Sequence, residues 1–456
     1  MVDSSKQRLF NVLNHRMLQN ALSLYGVQIA SYFVPLITIP YLARVLGVAG
    51  WGLVAFAQSF GSFTILAVEY GFNLSATREV ARHRDNRQKL TEIFAGVLGA
   101  KGLIAGASLI VAWLVCSRVP IFRSHRDLLW AGIFWALPQA FNVMWFFQGF
   151  ERLRLVAALD ITAKALATVA IFVVIRKPDD DWLVLVVQGC AYSFSFFVGL
   201  GLAYRNIPFR LPTWAATWEA LSMGWTMFLF RTSVSLYSVA NSFILGLFVA
   251  PQFVGYFAGA EKMIKALLQL FTPVTQTLYP RVSHLVQHDR NRAARLARFG
   301  AVILSAEGVA LGTITFIFAP LAVRLVLGAA FLPAVPVLRV LSFLLPLIGL
   351  NTAVGPQWML PLGMDRIFVR IILVAGLINI GLASVLARPY AGLGMAMAVV
   401  SAELFIGVQV NLVLHRRHLH PLAYTGRISN KIQGSWTLTE ATELSAPACG
   451  SADKLL

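Results

Sequence analysis

The chain has 456 residues, of which 58% are apolar and only 13% are charged. Soluble domains are about 45–50% apolar and about 25% charged, so this composition excludes an ordinary soluble protein and indicates a polytopic membrane protein. The net charge of +18 would suggest nucleic-acid binding in a soluble protein. Here an excess of lysine and arginine in cytoplasmic loops explains the charge, and we expect no nucleic-acid partner.

A helix that crosses a bilayer needs about 20 predominantly apolar residues. Apolar segments of this length recur twelve times along the chain. The predicted spans are 18–40, 51–72, 93–115, 128–149, 156–175, 182–204, 222–247, 252–278, 300–322, 335–360, 367–387 and 391–414. Only short segments connect them, so no catalytic domain is inserted outside the membrane. The first span follows a short basic segment without a small-residue cleavage pattern, which predicts a spanning helix rather than a signal peptide.

Lysine and arginine concentrate in alternate connecting segments. The rich segments are 1–17, 76–92, 150–155, 205–212, 280–299, 361–370 and 415–431. The poor ones lie near 44, 118–126, 176–177, 324 and 388. Because cytoplasmic loops carry the excess of basic residues, this asymmetry predicts that both termini are cytoplasmic.

A weak internal repeat divides the spans into two halves. The stretch 52–58 matches 255–261 at a constant offset of 203 residues. The offset equals six spans, which preserves orientation, as in transporters built from parallel repeats. We therefore expect an all-α fold with about twelve transmembrane helices in two parallel six-helix lobes around a central cavity. The predicted organisation is a cytoplasmic N-terminus (1–17), an N-lobe (18–204), a cytoplasmic linker (205–221), a C-lobe (222–414) and a disordered cytoplasmic tail (415–456).

Charged side chains within spans are costly and usually face the bundle interior or an aqueous cavity. The candidate cations are Lys101, Lys164, Arg231, Lys262 and Lys265. If they face one cavity, they form a site for an anion with a phosphate or pyrophosphate group. Two of them are four residues from an acid, so intrahelical pairing is an equal alternative. Arg231 has no acid within a turn and therefore needs a partner on another helix or an anionic ligand.

Three acids within spans, Glu261, Glu307 and Glu403, are candidates for carrying a coupling proton or sodium ion, with structural charge neutralisation as the alternative. Catalytic motifs are missing: the sequence has no Walker A loop, no HExxH and no G-x-S-x-G elbow. The three cysteines, Cys116, Cys190 and Cys449, show no paired or metal-ligand spacing. The sequence thus predicts a non-enzyme without cofactor, metal or disulfide.

Several polar motifs are specific enough to suggest a family. They are PYLARVLG at 40–47, WGLVAFAQ at 51–58, EYGFNLSATR at 69–78, WFFQG at 145–149, NSFILG at 241–246, VGYFAGAEK at 254–262 and LYPR at 278–281. In this order they resemble the Wzx-type polysaccharide and O-antigen flippases, whose superfamily includes multidrug and toxin extruders and the lipid II flippase. The resemblance runs through residues 20–290. The family-motif positions that match are Arg44, Glu69, Asn73, Arg78, Asn241, Glu261 and Lys262.

The resemblance implies a transporter in the bacterial inner membrane that moves an undecaprenyl-pyrophosphate-linked oligosaccharide repeat unit from the cytoplasmic to the periplasmic leaflet by alternating access. It also implies the polymerase and chain-length proteins of the same pathway as partners. Three alternatives stay open at this point: a cation-coupled multidrug exporter of the same superfamily, a membrane enzyme such as a polymerase or glycosyltransferase, and a non-transporting scaffold.

Overall fold

The computed structural model describes residues 37–421. The predicted N-terminal segment 1–17, most of the first span and the tail beyond residue 421 lie outside the described residues. All regular elements within the described range are helices, which confirms the predicted all-α class.

The first half of the chain consists of long helices broken at glycine and polar positions. They are α1 (37–69), α2 (Phe72–Arg82), α3 (Arg87–Arg118), α4 (Pro120–Ser124), α5 (Arg126–Phe141), α6 (Met144–Gly149), α7 (Leu153–Val174) and α8 (Asp181–Asn206). Within α1 the backbone at Gly47 has φ +67°, a left-handed conformation that glycine adopts without strain. This kink falls at the predicted break between the first two spans.

The second half begins after an extended connection at 207–213. Its helices are α9 (Trp214–Val239), α10 (Asn241–Gly246), α11 (Pro251–Leu268), α12 (Thr272–His288), α13 (Arg290–Val326), α14 (Val335–Ser342), α15 (Leu344–Val354) and α16 (Asp365–Arg416). The Thr213 hydroxyl caps α9 by accepting from the Ala216 amide at 3.3 Å, so this helix starts inside the predicted linker 205–221. α16 is interrupted at Ala391, between the predicted eleventh and twelfth spans.

The outer surface of the bundle is apolar. Within residues 37–421, six segments are long and apolar enough to cross a membrane: Ile37–Arg82, Arg87–Arg118, Pro178–Asn206, Arg290–Val326, Ala329–Met359 and Asp365–Arg416. Large side chains such as Ile110, Trp113, Phe197 and Val385 are 63–69% exposed, which suits lipid and not water. The protein is a polytopic membrane protein, and the count of twelve spans stays a prediction.

The basic connecting segments meet at one end of the bundle. Arg84 pairs with Glu151 at 2.7 Å, and Arg210 with Glu92 at 3.0 Å. The hydrogen bond from Arg84 also holds the pKa of the Glu151 carboxyl below its ordinary value. These contacts join segments near 76–92, 150–155 and 205–212, which the sequence assigned to the cytoplasmic side. That this end faces the cytoplasm stays a prediction.

The segments poor in basic residues also come together. The Arg44 guanidinium donates to the Leu325 carbonyl at 2.6 Å, and the Tyr41 hydroxyl donates to the Ile175 carbonyl at 2.5 Å. Segments near 44, 176–177 and 324 therefore share one end of the molecule, as the sequence predicts for the periplasmic side.

Helix packing follows the two halves of the chain. In the first half α5 packs against α8, with α3 and α7 beside them; in the second half α13 packs against α12, α14 and α15, and α16 covers α14 and α15. Helix α9 contacts α3 and α2 on one side and α16 on the other. It therefore contacts helices of both halves.

Candidate functional site

An ion pair joins α9 to the end of α1 in the bundle interior. Nη1 of Arg231 lies 2.9 Å from Oε2 of Glu69, and the other oxygen of Glu69 accepts from the Asn73 amide at 2.6 Å. The side chains of Arg231 and Glu69 are 33% and 17% exposed. The partner that Arg231 requires is thus a carboxylate 162 residues away in the sequence, and neither side chain is fully buried.

Glu69 also lines a polar cavity of about 270 Å³ within the first half of the chain. Its polar lining residues are Glu69, Asn73, Gln139, Asn142, Gln148, Asp160, Lys164 and Tyr192. Lys164 pairs with Asp160 at 2.7 Å, the intrahelical arrangement that their spacing predicts. Since Glu69 is neutralised by Arg231, the two carboxylates of the cavity each have a cationic partner.

Lys101 lies behind this cavity and is completely buried. Its ammonium donates to the carbonyl of Ala140 at 2.7 Å and to that of Asn142 at 3.2 Å. These carbonyls stand where α5 ends after Pro138, and the last carbonyls of a helix have no intrahelical partner. Lys101 therefore satisfies backbone groups that apolar surroundings would otherwise leave unpaired.

A second polar cluster lies between the two halves of the chain. The Lys262 ammonium stands 4.2 Å above the Trp51 ring and donates to the Gln58 side-chain oxygen at 3.3 Å. The Gln58 amide in turn donates to Gln188 at 3.1 Å. Lys262 is thus held by the first half of the chain through a cation–π contact and a hydrogen bond.

The neighbouring acid, Glu261, belongs to the second half. It pairs with Lys265 at 3.0 Å and accepts from the Asn241 amide at 3.2 Å. Asn241 is almost fully buried and accepts from Asn379 at 3.0 Å. The chain of contacts links α10, α11 and α16. Accordingly the five predicted cations are divided: Lys164 lines the cavity and Arg231 pairs with Glu69 of its lining. Lys101 lies behind the cavity, and Lys262 and Lys265 lie in the second cluster.

The repeated segments of the two halves cross at very short range. A methyl group at Gly52 would overlap the Pro251 carbonyl oxygen, and one at Gly255 would overlap the Val48 carbonyl oxygen. The two contacts are equivalent under the repeat offset of 203 residues. Such reciprocity is what a two-fold axis between the segments produces. The crossing lies next to Arg44, at the predicted periplasmic end.

The remaining predicted residues lie apart from these clusters. Glu403 is buried and accepts from the Asn351 amide at 3.0 Å. Glu307 on α13 makes no hydrogen bond or ion pair within residues 37–421. No contact in that range joins Glu261, Glu307 and Glu403 to one another. Arg78 lies on α2 with its side chain 54% exposed, 3.8 Å from Glu79.

Several residues of the cavity were not selected from the sequence, where candidates other than the family-motif positions were chosen by charge. These are the neutral polar groups Gln139, Asn142, Gln148 and Tyr192. Their polarity within apolar spans could have indicated them, because an amide in such a span is costly unless it has a partner or faces a cavity. In the described part of the chain no cluster of three metal-ligating side chains occurs.

Comparisons with known proteins agree with this geometry. A family model described as "Polysaccharide biosynthesis protein" matches residues 17–286. A relative from Escherichia coli (strain K12), named as an O-antigen transporter, is 28% identical over 390 residues, which cover 85% of this chain and 94% of the relative. A relative of the same name from Shigella dysenteriae is 27% identical over 401 residues, covering 86% and 98%.

Two solved structures share the fold. The lipid II flippase MurJ in an inward closed conformation superposes with a TM-score of 0.66 at 13% identity, covering 86% of this chain and 87% of that one. An inward-facing multidrug resistance transporter of the MATE family gives a TM-score of 0.56 at 15% identity, covering 87% and 99%. At this identity the likeness concerns the fold alone, which is that of a polytopic transporter.

Proposed function

The chain belongs to the polysaccharide biosynthesis protein family, and from this premise we propose that it flips an undecaprenyl-pyrophosphate-linked oligosaccharide repeat unit across the bacterial inner membrane. The repeat unit moves from the cytoplasmic to the periplasmic leaflet. The protein is a transporter and not an enzyme, in line with the names of its relatives. The membrane enzymes considered as alternatives are therefore set aside.

The observation that carries the proposal is the Arg231–Glu69 pair at the edge of the polar cavity. A guanidinium offers two parallel N–H donors that fit phosphate oxygens. Glu69 contacts one nitrogen of the guanidinium, Nη1, at 2.9 Å. An arriving pyrophosphate replaces Glu69 as the partner of Arg231, and Glu69 keeps its hydrogen bond from Asn73. The exchange pairs Arg231 with the headgroup and leaves Glu69 with its neutral partner Asn73.

Alternating access requires a contact that closes one end and opens again. The reciprocal crossing of Gly52 and Gly255 is suited to this role, because two backbones meet there without side chains between them. We assign it to the closed periplasmic end. The N-lobe (18–204) and the C-lobe (222–414) then rock about it, while the undecaprenyl tail stays in the bilayer and only the hydrophilic head passes between the lobes.

Several finer features complete the proposal. The termini and the tail 415–456 are cytoplasmic, and the polymerase and chain-length proteins of the pathway receive the product. Glu261, Glu307 and Glu403 are the candidates for ion coupling. Of these, Glu307 makes no hydrogen bond or ion pair within the described range, so it is the acid most available to bind a proton or sodium ion.

The charge pairing disfavours the multidrug exporter as an alternative. An exporter of organic cations needs a free carboxylate at the site that binds them, and Glu307, which has no partner within residues 37–421, lies apart from both polar clusters. Here Glu69, Asp160 and Glu261 are each paired with a lysine or arginine. An anionic substrate competes for the cations of these pairs and so suits the site better.

The test is deletion of the gene in its own bacterium, followed by extraction of lipid-linked oligosaccharides and digestion of the outward-facing fraction. We expect complete repeat units to accumulate on the cytoplasmic face, and the intact gene to reverse this. Incomplete units, complete units on the outer face or no change at all would each contradict a flippase. Arg231→Ala, produced at the wild-type level in the membrane, should fail to complement the deletion.

A further inference from the structure

The cavity of the first half contains neutral hydrogen-bonding groups that a pyrophosphate does not require. Within residues 37–421, the side-chain amide of Gln148 and the hydroxyl of Tyr192 have no hydrogen-bond partner, although both line the cavity. Polar groups inside a membrane bundle are normally paired. Two unpaired groups at one cavity therefore indicate a ligand that supplies the missing partners, or water in its place.

Two further amides are half-satisfied. The Gln139 nitrogen donates to the Trp135 carbonyl at 3.0 Å, and the Asn142 oxygen accepts from the Met144 amide at 3.0 Å. These backbone contacts determine which end of each side-chain amide is available to a ligand. Gln139 keeps an acceptor, and Asn142 keeps a donor. Lys101 anchors the Asn142 carbonyl from behind at 3.2 Å, so this part of the lining is held rigidly.

The chemistry of the lining selects a class of ligand. Donors and acceptors are mixed, and the two carboxylates, Glu69 and Asp160, are already neutralised. A bound metal ion would need free carboxylates or carbonyls around it, and a lipid tail would need an apolar wall. A polyhydroxyl compound fits, because every hydroxyl group both donates and accepts. The cavity volume of about 270 Å³ leaves room for a ligand the size of one sugar ring.

We propose that this cavity is a saccharide subsite, in which Gln139, Asn142, Gln148 and Tyr192 bind one sugar ring of the transported oligosaccharide. The inference rests on the proposed function and adds the part of the substrate that the first half of the chain recognises. Glu69 belongs both to the cavity and to the Arg231 pair. The pyrophosphate position and the subsite are therefore adjacent, as required for a sugar attached directly to the phosphate.

The test measures binding by the purified full-length protein with two separate probes. One is the repeat-unit oligosaccharide, released from its lipid carrier in the same bacterium; the other is inorganic pyrophosphate. In Gln148→Leu combined with Tyr192→Phe, we expect oligosaccharide binding to weaken at least tenfold and pyrophosphate binding to stay within twofold of wild type. Arg231→Ala should show the opposite pattern.

The matched control is Gln287→Leu combined with Tyr390→Phe, which removes the same groups from exposed positions outside the cavity. This variant should bind both probes as the wild type does. If the double cavity variant fails to fold, Tyr192→Phe alone removes a single oxygen and should weaken oligosaccharide binding about threefold. Wild-type oligosaccharide affinity in the folded cavity variant would overturn the subsite. So would absence of oligosaccharide binding by the wild type, or sodium binding that the cavity variant loses.

The gene deletion separates this inference from the proposed function. If lipid-linked units accumulate in the deletion strain but the cavity variant binds the oligosaccharide as the wild type does, the subsite is refuted and the flippase is supported. If the cavity variant loses oligosaccharide binding but no lipid-linked units accumulate in the deletion strain, the flippase is refuted and a saccharide site is supported.

Discussion

Arg231 and Glu69 illustrate how single residues are constrained in an apolar bundle. Each charge is costly without the other, and removing one partner of a buried pair leaves an uncompensated charge. Both side chains are partly exposed, so part of this cost is screened by water. Arg231 stabilises the protein through Glu69, and in the proposed function it exchanges this partner for a ligand anion.

This dual role predicts different responses of stability and transport to substitution. Arg231→Ala should lower the free energy of unfolding by about 1–3 kcal/mol, because Glu69 loses its cation and keeps only Asn73. Adding Glu69→Gln removes the orphan charge and should recover most of that loss without restoring transport. Thermal unfolding and glycan export are the two measurements. Normal export by the double variant would show that Arg231 serves structure alone.

Lys101 leads to the opposite expectation, since its ammonium contacts only backbone carbonyls of the α5 end. Lys101→Ala should destabilise the protein by about 2–4 kcal/mol, from two unpaired carbonyls and a cavity left by the side chain. Pyrophosphate affinity of the folded fraction should stay at the wild-type value. Lys177→Ala, in an exposed loop, is the control for losing a lysine. A stable Lys101→Ala protein that no longer binds pyrophosphate would make Lys101 part of the ligand site.

At the scale of helices, the crossing of α1 and α11 allows a sharper experiment. Gly52→Ala places a methyl group where the Pro251 carbonyl lies, so the crossing has to separate. Spin labels at Ala49 and Gln252, introduced as cysteines after removal of the native ones, should report a longer distance in this variant. Transport should fall with it, because the closed state becomes less populated.

Gly102→Ala is the control for this substitution, because a methyl group at Gly102 meets no atom within 4 Å. The label distance and transport should both keep their wild-type values. An unchanged distance in Gly52→Ala would mean that the crossing yields locally and does not control the end of the bundle.

Helix breaks were predictable from sequence to a greater extent than helix partners. Gly47 and Ala391 fall at predicted breaks because glycine, proline and polar residues interrupt apolar runs locally. The predicted pairing of Lys164 with Asp160 is also local, four residues along one helix. By contrast, nothing near Arg231 in the sequence points to Glu69, since their contact depends on how α9 packs against α1. The Lys101 carbonyl partners were equally hidden, because backbone groups carry no sequence signal.

In the molecule as a whole, the two polar clusters lie in the interior and the exterior is apolar. The exterior meets lipid, while the charges of the two clusters and of Lys101 have carboxylate, amide, carbonyl or aromatic partners. Because the repeat offset relates Gly52 to Gly255 and Val48 to Pro251, the halves meet as near-equivalents. A symmetric contact of this kind closes one end without favouring either half, which is suitable for a rocking motion of two lobes.

The charge of the proposed substrate yields a final prediction for the whole transporter. A pyrophosphate diester carries about two negative charges, and each gains about 2.3 kcal/mol per 100 mV on leaving an inside-negative compartment. Two charges give about 4–5 kcal/mol, which corresponds to a distribution ratio of about 10³ at equilibrium. The membrane potential is therefore sufficient to drive export.

In proteoliposomes with an imposed potassium diffusion potential, the lipid-linked repeat unit should accumulate in the leaflet on the positive side, and reversing the potential should reverse its direction. Arg231→Ala vesicles provide the baseline, because they carry the same lipid and the same potential without the cation that binds the headgroup. If movement of the repeat unit is independent of the potential and follows a proton or sodium gradient, ion coupling would be the driving force. Glu307→Gln would then be expected to abolish the movement, because the Glu307 carboxylate has no hydrogen-bond or ion-pair partner within residues 37–421 and is our candidate for binding the coupling ion.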